Sequence, residues 1–153
     1  PGPDNSCEVR ETSTVAPQAL TLFNSEEVRD RSIALAVRII EETKEKKAAI
    51  KKAFQLTLGR APSNSELTAC LVHWDVAAAE EAGKTYHKRE YVDRLERTVM
   101  AEKTGEPYDF IEFMPAYRTY EPDLQMADVD VKTRGLSQVC LVLYNLNEFC
   151  YLD

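Results

Sequence analysis

The chain has 153 residues, of which 44% are hydrophobic and 29% are charged, a balance typical of one folded domain and not of a disordered chain. Its net charge of −7 argues against nucleic acid as a partner, because phosphate binding needs a clustered positive surface. No apolar run in the sequence approaches the ~20 residues that a transmembrane helix needs. We therefore expect one domain without a transmembrane segment.

The first residues read Pro-Gly-Pro-Asp-Asn and include no starting Met, so we interpret the chain as the C-terminal fragment of a longer protein. Residues 1–12 are expected to form an extended N-terminal segment. Cys7 and Cys150 lie in irregular terminal segments, and a disulfide between them stays an open question that depends on the compartment. Cys70 and Cys140 lie on the apolar faces of predicted helices, where a free thiol packs as a small hydrophobe.

The chain up to residue 60 contains three predicted helices with clear ends. A short helix is expected to end at Asn24, because Asn tolerates the left-handed conformation of a C-cap. Ser25 then caps a second helix, in which apolar residues recur at helical spacing. A third helix covers residues 50–58 and ends at Gly59, the residue most often found after a helix C-terminus.

The next segment, from Arg60 to Glu66, combines a turn with the start of a fourth helix. Pro62 predicts a rigid turn, and Ser63 and Glu66 have the three-residue separation of a capping box. Arg60 beside a helix N-terminus could bind an anion. One Gly and one Arg do not make a phosphate loop, so we favour pairing of Arg60 with a carboxylate or a carbonyl.

The second half of the chain predicts two more helices with an irregular segment between them. Apolar residues at four-residue steps predict a fifth helix over residues 88–103, closed by Gly105. Residues 105–134 combine prolines, an acidic excess and five aromatic residues, and a segment of this length without periodicity is usually functional or docked. We expect it to wrap the domain's own core or, alternatively, to form a contact surface through Tyr108, Phe110, Phe113, Tyr117 and Tyr120. The last helix is expected over residues 136–147, which gives an all-α fold of five or six helices.

Two short runs near opposite ends of the chain resemble each other. Residues 22–28 read Leu-Phe-Asn-Ser-Glu-Glu-Val, and residues 143–149 read Leu-Tyr-Asn-Leu-Asn-Glu-Phe. Because Asn bonds to local backbone and caps helices, the repeat predicts two equivalent helix–turn corners packed near each other. The structural residues of the second corner are Asn145, Asn147, Glu148 and Phe149.

Four stretches in this order resemble a known family: STVAPQALTLFNS at 13–25, LGRAPS at 58–63, ADVDVKTR at 127–134, and LYNLNEF at 143–149. Together they are similar to the C-terminal part of the planctomycete-type family catalogued as domain of unknown function 1553. The resemblance implies the last module of an exported, extracytoplasmic multidomain protein, which in some members carries a cytochrome c-like haem domain upstream. Its partners would be the upstream domains or another protein. The resemblance implies no catalytic residues.

Metal sites can be proposed only weakly from the sequence. Asp123, Asp128 and Asp130 suggest calcium, but a standard loop starting at Asp128 would need a Glu where Val139 stands, which leaves only an irregular site. Cys70, His73 and His87 have ligand-like spacing for zinc. The chain has only two histidines and no second thiol near Cys70, so we expect no metal and no other cofactor in this chain.

The sequence offers one weak candidate for a catalytic pair. Glu26 and Glu148 occupy matching positions in the two repeats and could act as an acid/base pair, although both also suit the positive end of a helix dipole. We therefore expect a non-catalytic structural or interaction module. The alternative is one wall of a polysaccharide-directed or haem-linked site, which a deep pocket lined by Arg60, Glu148 and the acidic segment would favour.

Overall fold

The structure, a computed structural model, describes residues 25–150 of the chain, apart from the side chain of Cys150. The predicted helix ending at Asn24, the extended segment 1–12 and the Cys7–Cys150 pairing lie outside the described residues. Residues 22–24 of the first repeated run also lie outside them, including Asn24, and with Asn24 the predicted packing of the two corners. The elements are α1 (Glu26–Glu42), α2 (Lys46–Leu58), α3 (Asn64–Glu81), β1 (Arg94–Met100), β2 (Pro107–Phe113), 3₁₀ turns at Pro115–Arg118 and Met126–Asp128, α4 (Val131–Tyr144) and the single-turn α5 (Asn147–Cys150).

Side-chain caps mark the start of three helices, and a glycine ends α2. The Ser25 hydroxyl accepts from the Val28 amide at the start of α1, and Gly59 ends α2 with a φ of 69°, a conformation that costs glycine little. Asp130 caps α4 by accepting from the Thr133 amide at 2.7 Å. This cap makes the last long helix begin five residues before the predicted start at 136, and it ends at Tyr144.

The core lies between the four longer helices. Trp74 of α3 is almost fully buried, and its indole Nε1 donates to the Lys132 carbonyl of α4 at 2.9 Å. Gly135 permits this close approach of α3 and α4, since a Cβ there would lie 2.9 Å from the Trp74 carbonyl oxygen. The cluster of buried core residues comprises Ala36, Ile39, Ala49, Ile50, Ala53, Phe54, Trp74, Leu136, Val139, Cys140 and Leu143.

The predicted all-α fold is wrong, because the fifth helix expected at 88–103 is replaced by a strand. β1 pairs antiparallel with β2, with Arg97 opposite Phe110 at the centre, and we call this hairpin the ribbon (residues 94–113). The four-residue spacing of Leu95 and Val99 fits a strand as well as a helix, since residues four apart also share one face of a strand. Pairing with β2 selects the strand over the helix for these residues, because β2 is rich in aromatic residues that favour β structure.

The segment 105–134, predicted to be irregular, begins with this second strand. Gly105 ends no helix but closes the hairpin loop at a φ of 69°. Its amide donates to the Ala101 carbonyl at 2.8 Å, and the Ala101 amide donates to the Glu106 carbonyl at 2.9 Å. A glycine in the left-handed region at the end of a short loop is a recognised hairpin signal. No helix within residues 25–150 is both long and apolar enough to span a bilayer.

Candidate functional site

Arg60 forms an ion-pair corner that joins the start of α3 to α5. Its guanidinium donates to both Glu66 oxygens at 2.7 and 3.0 Å and to both Glu148 oxygens at 2.6 and 2.8 Å. A further bond reaches the Ala61 carbonyl at 3.1 Å. The five N–H groups of an arginine are all used by these five bonds. The corner therefore leaves no donor of Arg60 for an anion.

The Glu66 carboxylate takes part in two interactions, the ion pair with Arg60 and the N-terminal cap of α3. Ser63 and Glu66 form the predicted capping box, in which each side chain accepts from the other residue's amide. Hydrogen bonding to Arg60, and then to the Ser63 backbone, lowers the pKa of Glu66 to about 2. Arg60 also lowers the pKa of Glu148. Pro62 lies in the two-residue link between Arg60 and this cap. Charge pairing and helix capping thus act on the same side chain.

The described asparagine corner makes local contacts with the backbone. Asn145 is the C-cap of α4, with a φ of −90°, so it does not take the left-handed conformation. Its amide donates to the Leu141 carbonyl at 2.8 Å. Asn147 begins α5, and the Phe149 ring lies 5.0 Å from the Tyr144 ring.

The five aromatic residues of the predicted contact surface fall into two groups. Tyr117 and Tyr120 pack against Tyr91, with ring centroids 5.4 and 4.8 Å away. These three rings line an open depression beside the start of α1, together with Arg89. Arg89 donates to Glu26 at 2.5 Å and to Asp30.

Arg89 is a residue that the sequence analysis missed. It contributes to two neighbouring depressions, one lined by tyrosines and one lined in part by Tyr86, His87 and Gln125. Gln125 is buried and its side-chain carbonyl accepts from the Arg89 amide at 2.8 Å. An exposed-looking Gln in an irregular segment gives no sequence signal for such a contact, because its partner lies 36 residues away.

Glu26 and Glu148, which were weighed as an acid/base pair and as helix-dipole residues, each pair with a different arginine. Glu26 contacts Arg89, and Glu148 contacts Arg60. Likewise, Arg60 and Glu148 do not line the depressions formed by Arg89 and the acidic segment.

The three aspartates considered for calcium each have another role. Asp123 pairs with Arg31, Asp128 pairs with Lys88 and accepts from the Gln125 amide, and Asp130 caps α4. Within residues 25–150, no cluster of three or more His, Cys, Asp or Glu side chains could hold a metal ion. Cys70 and Cys140 are free thiols, and Cys140 is the more buried of the two.

Tyr108, Phe110 and Phe113, the other three aromatic residues, lie on the ribbon and are 53%, 39% and 58% exposed. Side chains alternate between the two faces of a strand, so Tyr108 and Phe110 share one face and Phe113 lies on the other. Ile111, on the same face as Phe113, is 50% exposed. The ribbon thus presents apolar side chains to solvent on both faces.

The comparisons with known proteins give one family. The model described as PSD1, protein of unknown function (DUF1553), matches residues 1–74. This match confirms DUF1553 as the family that the sequence motifs indicated, and it includes the first two of the four motifs. No curated protein and no solved structure matches the chain.

Proposed function

With the DUF1553 match over residues 1–74 as the premise, we propose that this chain is a non-catalytic structural and interaction module whose contact surface is the ribbon. The module would act within an exported multidomain protein, with upstream domains or another protein chain as its partner. A haem domain, where one is present, would lie in that upstream region. The exposed apolar ribbon is the observation that carries the proposal.

The composition of the ribbon supports a role in contact. An isolated two-stranded hairpin is at best marginally stable in water, and hairpins are usually stabilised by covering one face. Exposed apolar groups that cluster on one element are typical of interaction sites. Here four large apolar side chains of one seven-residue strand are exposed, namely Tyr108, Phe110, Ile111 and Phe113.

The ion-pair corner supports the structural half of the proposal. Arg60 connects the start of α3 with α5, and its partner Glu148 lies 88 residues further along the chain. Its guanidinium also lies 5.3 Å from the centre of the Phe54 ring, which is buried in the core. All of its donors are used within the fold, so its role is to hold α5 against the start of α3.

Hydrogen exchange tests the contact surface. Amide exchange of the isolated chain, diluted until it is monomeric, is compared with exchange of the longer polypeptide from its native source. We expect slower exchange in the ribbon of the longer polypeptide, with little change in α1 to α4. Equal exchange of the ribbon in the two samples would refute the proposed contact surface.

A variant pair makes the test specific. Phe110→Ser removes an exposed apolar side chain from the ribbon, and Val72→Ser removes one from α3, where Val72 is 58% exposed. We expect only Phe110→Ser to abolish the protection, while both variants unfold at nearly the wild-type temperature.

A further inference from the structure

The alternation of hydrogen-bonded pairs between β1 and β2 determines which backbone amides and carbonyls of β2 point away from β1. The Met114 amide donates to the Asp93 carbonyl at 2.9 Å, and the Ala101 amide donates to the Glu106 carbonyl at 2.9 Å. In an antiparallel ladder, hydrogen-bonded pairs alternate with non-hydrogen-bonded pairs. The hydrogen-bonded pairs between these two are therefore 95/112, 97/110 and 99/108, within the observed register.

The other residues of β2 direct their backbone groups away from β1. The amides of Asp109, Ile111 and Phe113 point to the open edge, and Pro107 offers only its carbonyl. Within residues 25–150, these three amides make no hydrogen bond. An open edge of this length is a template for another strand.

We propose that the open edge of β2 pairs antiparallel with the β2 edge of a second copy of this chain, to form a continuous four-stranded sheet. This inference rests on the proposed function, because it names the partner of the same ribbon. In the full seven-residue overlap, Phe110 lies opposite Phe110 of the second copy, and Asp109 lies opposite Ile111.

The charges of β2 disfavour registers centred on Asp109 or on Glu112, and a register centred on Ile111 shortens the overlap to residues 109–113. Shifting the pairing by one residue to either side of Phe110 centres it on Asp109 or on Ile111, and only the Asp109-centred register places like charges opposite each other. A further shift, to a centre at Glu112, places two glutamates opposite each other, which destabilises a sheet. In the full overlap, Tyr108 instead lies opposite Glu112 of the second copy, where a phenol can donate to a carboxylate.

Each acidic side chain of β2 has a hydrogen-bond partner within its own copy, and in the full overlap neither lies opposite a like charge. Glu112 accepts from Arg97 at 2.9 Å, and Asp109 accepts from Thr98 at 2.7 Å. The edge of β1 is less suitable, because its own full overlap would place Arg97 opposite Arg97 of the second copy. Charge on a strand edge is a common means of preventing pairing. These differences assign self-pairing to the β2 edge.

Pairing of the two copies would also join the apolar side chains on one face of each ribbon into a continuous strip. Leu95, Val99, Tyr108 and Phe110 share the face of the hydrogen-bonded pairs, and Tyr108 and Phe110 contact each other with ring centroids 6.1 Å apart. Pairing across the two-fold axis would bring the two Phe110 rings together at a non-hydrogen-bonded position, where side chains are closest. Aromatic pairs of this kind stabilise sheets.

Sedimentation velocity over a concentration series tests the pairing in solution. Ile111→Pro removes an outward amide that the ribbon itself does not use, and Glu96→Pro does the same on the outer edge of β1, at the residue opposite Ile111. We expect the wild-type chain and Glu96→Pro to dimerise similarly. Ile111→Pro should weaken the dimer about tenfold or more, because each of its two copies loses a ladder hydrogen bond.

A cysteine variant tests the register without a change of backbone. Phe110→Cys places two thiols at a non-hydrogen-bonded pair, where the Cα atoms are about 4.5 Å apart and a disulfide is geometrically allowed. Arg97→Cys is the control, since the two copies of that residue would be about 14 Å apart across three strand spacings. We expect a covalent dimer on a non-reducing gel for Phe110→Cys, above the level seen for wild type and for Arg97→Cys.

The outcomes separate this inference from the proposed function. A chain that stays monomeric, or a dimer that both proline variants weaken equally, overturns the self-pairing. Failure of Phe110→Cys to cross-link overturns it as well. If the ribbon is nevertheless protected in the longer polypeptide, the contact surface stands and its partner is a different chain segment.

Discussion

Replacing Gly135 with alanine tests whether the close approach of α3 and α4 is necessary for the fold. An added Cβ would lie 2.8 Å from the Ala78 Cβ, 2.9 Å from the Trp74 Cδ1 and 2.9 Å from the Trp74 carbonyl oxygen. Two of these atoms, the Trp74 carbonyl oxygen and the Ala78 Cβ, are fixed by the backbone and cannot rotate away. The helices must therefore separate, and the indole bond from Trp74 to Lys132 lengthens with them.

Two opposing effects determine the magnitude. Overpacking a well-filled core costs about 1–3 kcal/mol, whereas alanine in place of glycine inside a helix gains about 1 kcal/mol. Because rigid atoms make the contacts, we take the upper half of the first range. The expected net decrease in the free energy of unfolding is about 1–2 kcal/mol.

Chemical denaturation followed by tryptophan fluorescence measures this change, since Trp74 is the single tryptophan of the chain and lies at the contact. Gly83→Ala is the matched control, because a Cβ at Gly83 meets nothing within 4 Å. We expect Gly83→Ala to stay within about 0.5 kcal/mol of wild type. If Gly135→Ala is as stable as wild type or more stable, the reasoning about the helix contact is wrong.

Three further predictions concern the capped corner and the thiols. Ser63→Ala should lower the free energy of unfolding by about 1 kcal/mol, through the lost N-cap, and denaturant titration measures this; no change would show that the cap is dispensable. Glu66→Gln should lower the unfolding temperature at neutral pH, with a difference that shrinks as the pH falls from 4.5 towards 2, because the folded carboxyl, with a pKa of about 2, stays charged where the unfolded one is protonated. A pH-independent difference would mean that charge pairing with Arg60 plays no part. Burial raises the pKa of Cys140 to about 12, so a thiol reagent followed by peptide mass mapping should label Cys140 only after unfolding, and faster labelling of Cys140 than of the half-buried Cys70 in the native chain would contradict its buried position.

The helical part of the fold was largely predictable because its signals are local. Ser25, Gly59, Ser63 and Glu66 act within a few residues of the helix ends that they define, so their spacing alone carries the information. The start of the last long helix was missed because Asp130 was weighed as a metal ligand and not as a cap.

The ribbon could not be recognised from apolar spacing. Residues at four-residue steps share a face in both a helix and a strand, so Leu95 and Val99 did not separate the two. Gly105 was interpreted as a helix end, although the same residue equally suits a hairpin loop. Only pairing with residues 107–113 decided the structure, because a strand is stabilised by hydrogen bonds to a separate segment, which the apolar spacing within residues 88–103 does not reveal.

The candidate site shows the same division. The sequence indicated that Arg60 would have a carboxylate or carbonyl partner, and Glu66 of the predicted capping box is one such partner. The second partner, Glu148, and the position of Arg89 between Glu26 and Asp30 depended on how α1, α5 and the irregular segment come together. Local sequence thus determined most of the helix caps and the similarity to DUF1553 over residues 1–74. The packing of separate segments decided which charges meet and which strand edge stays open.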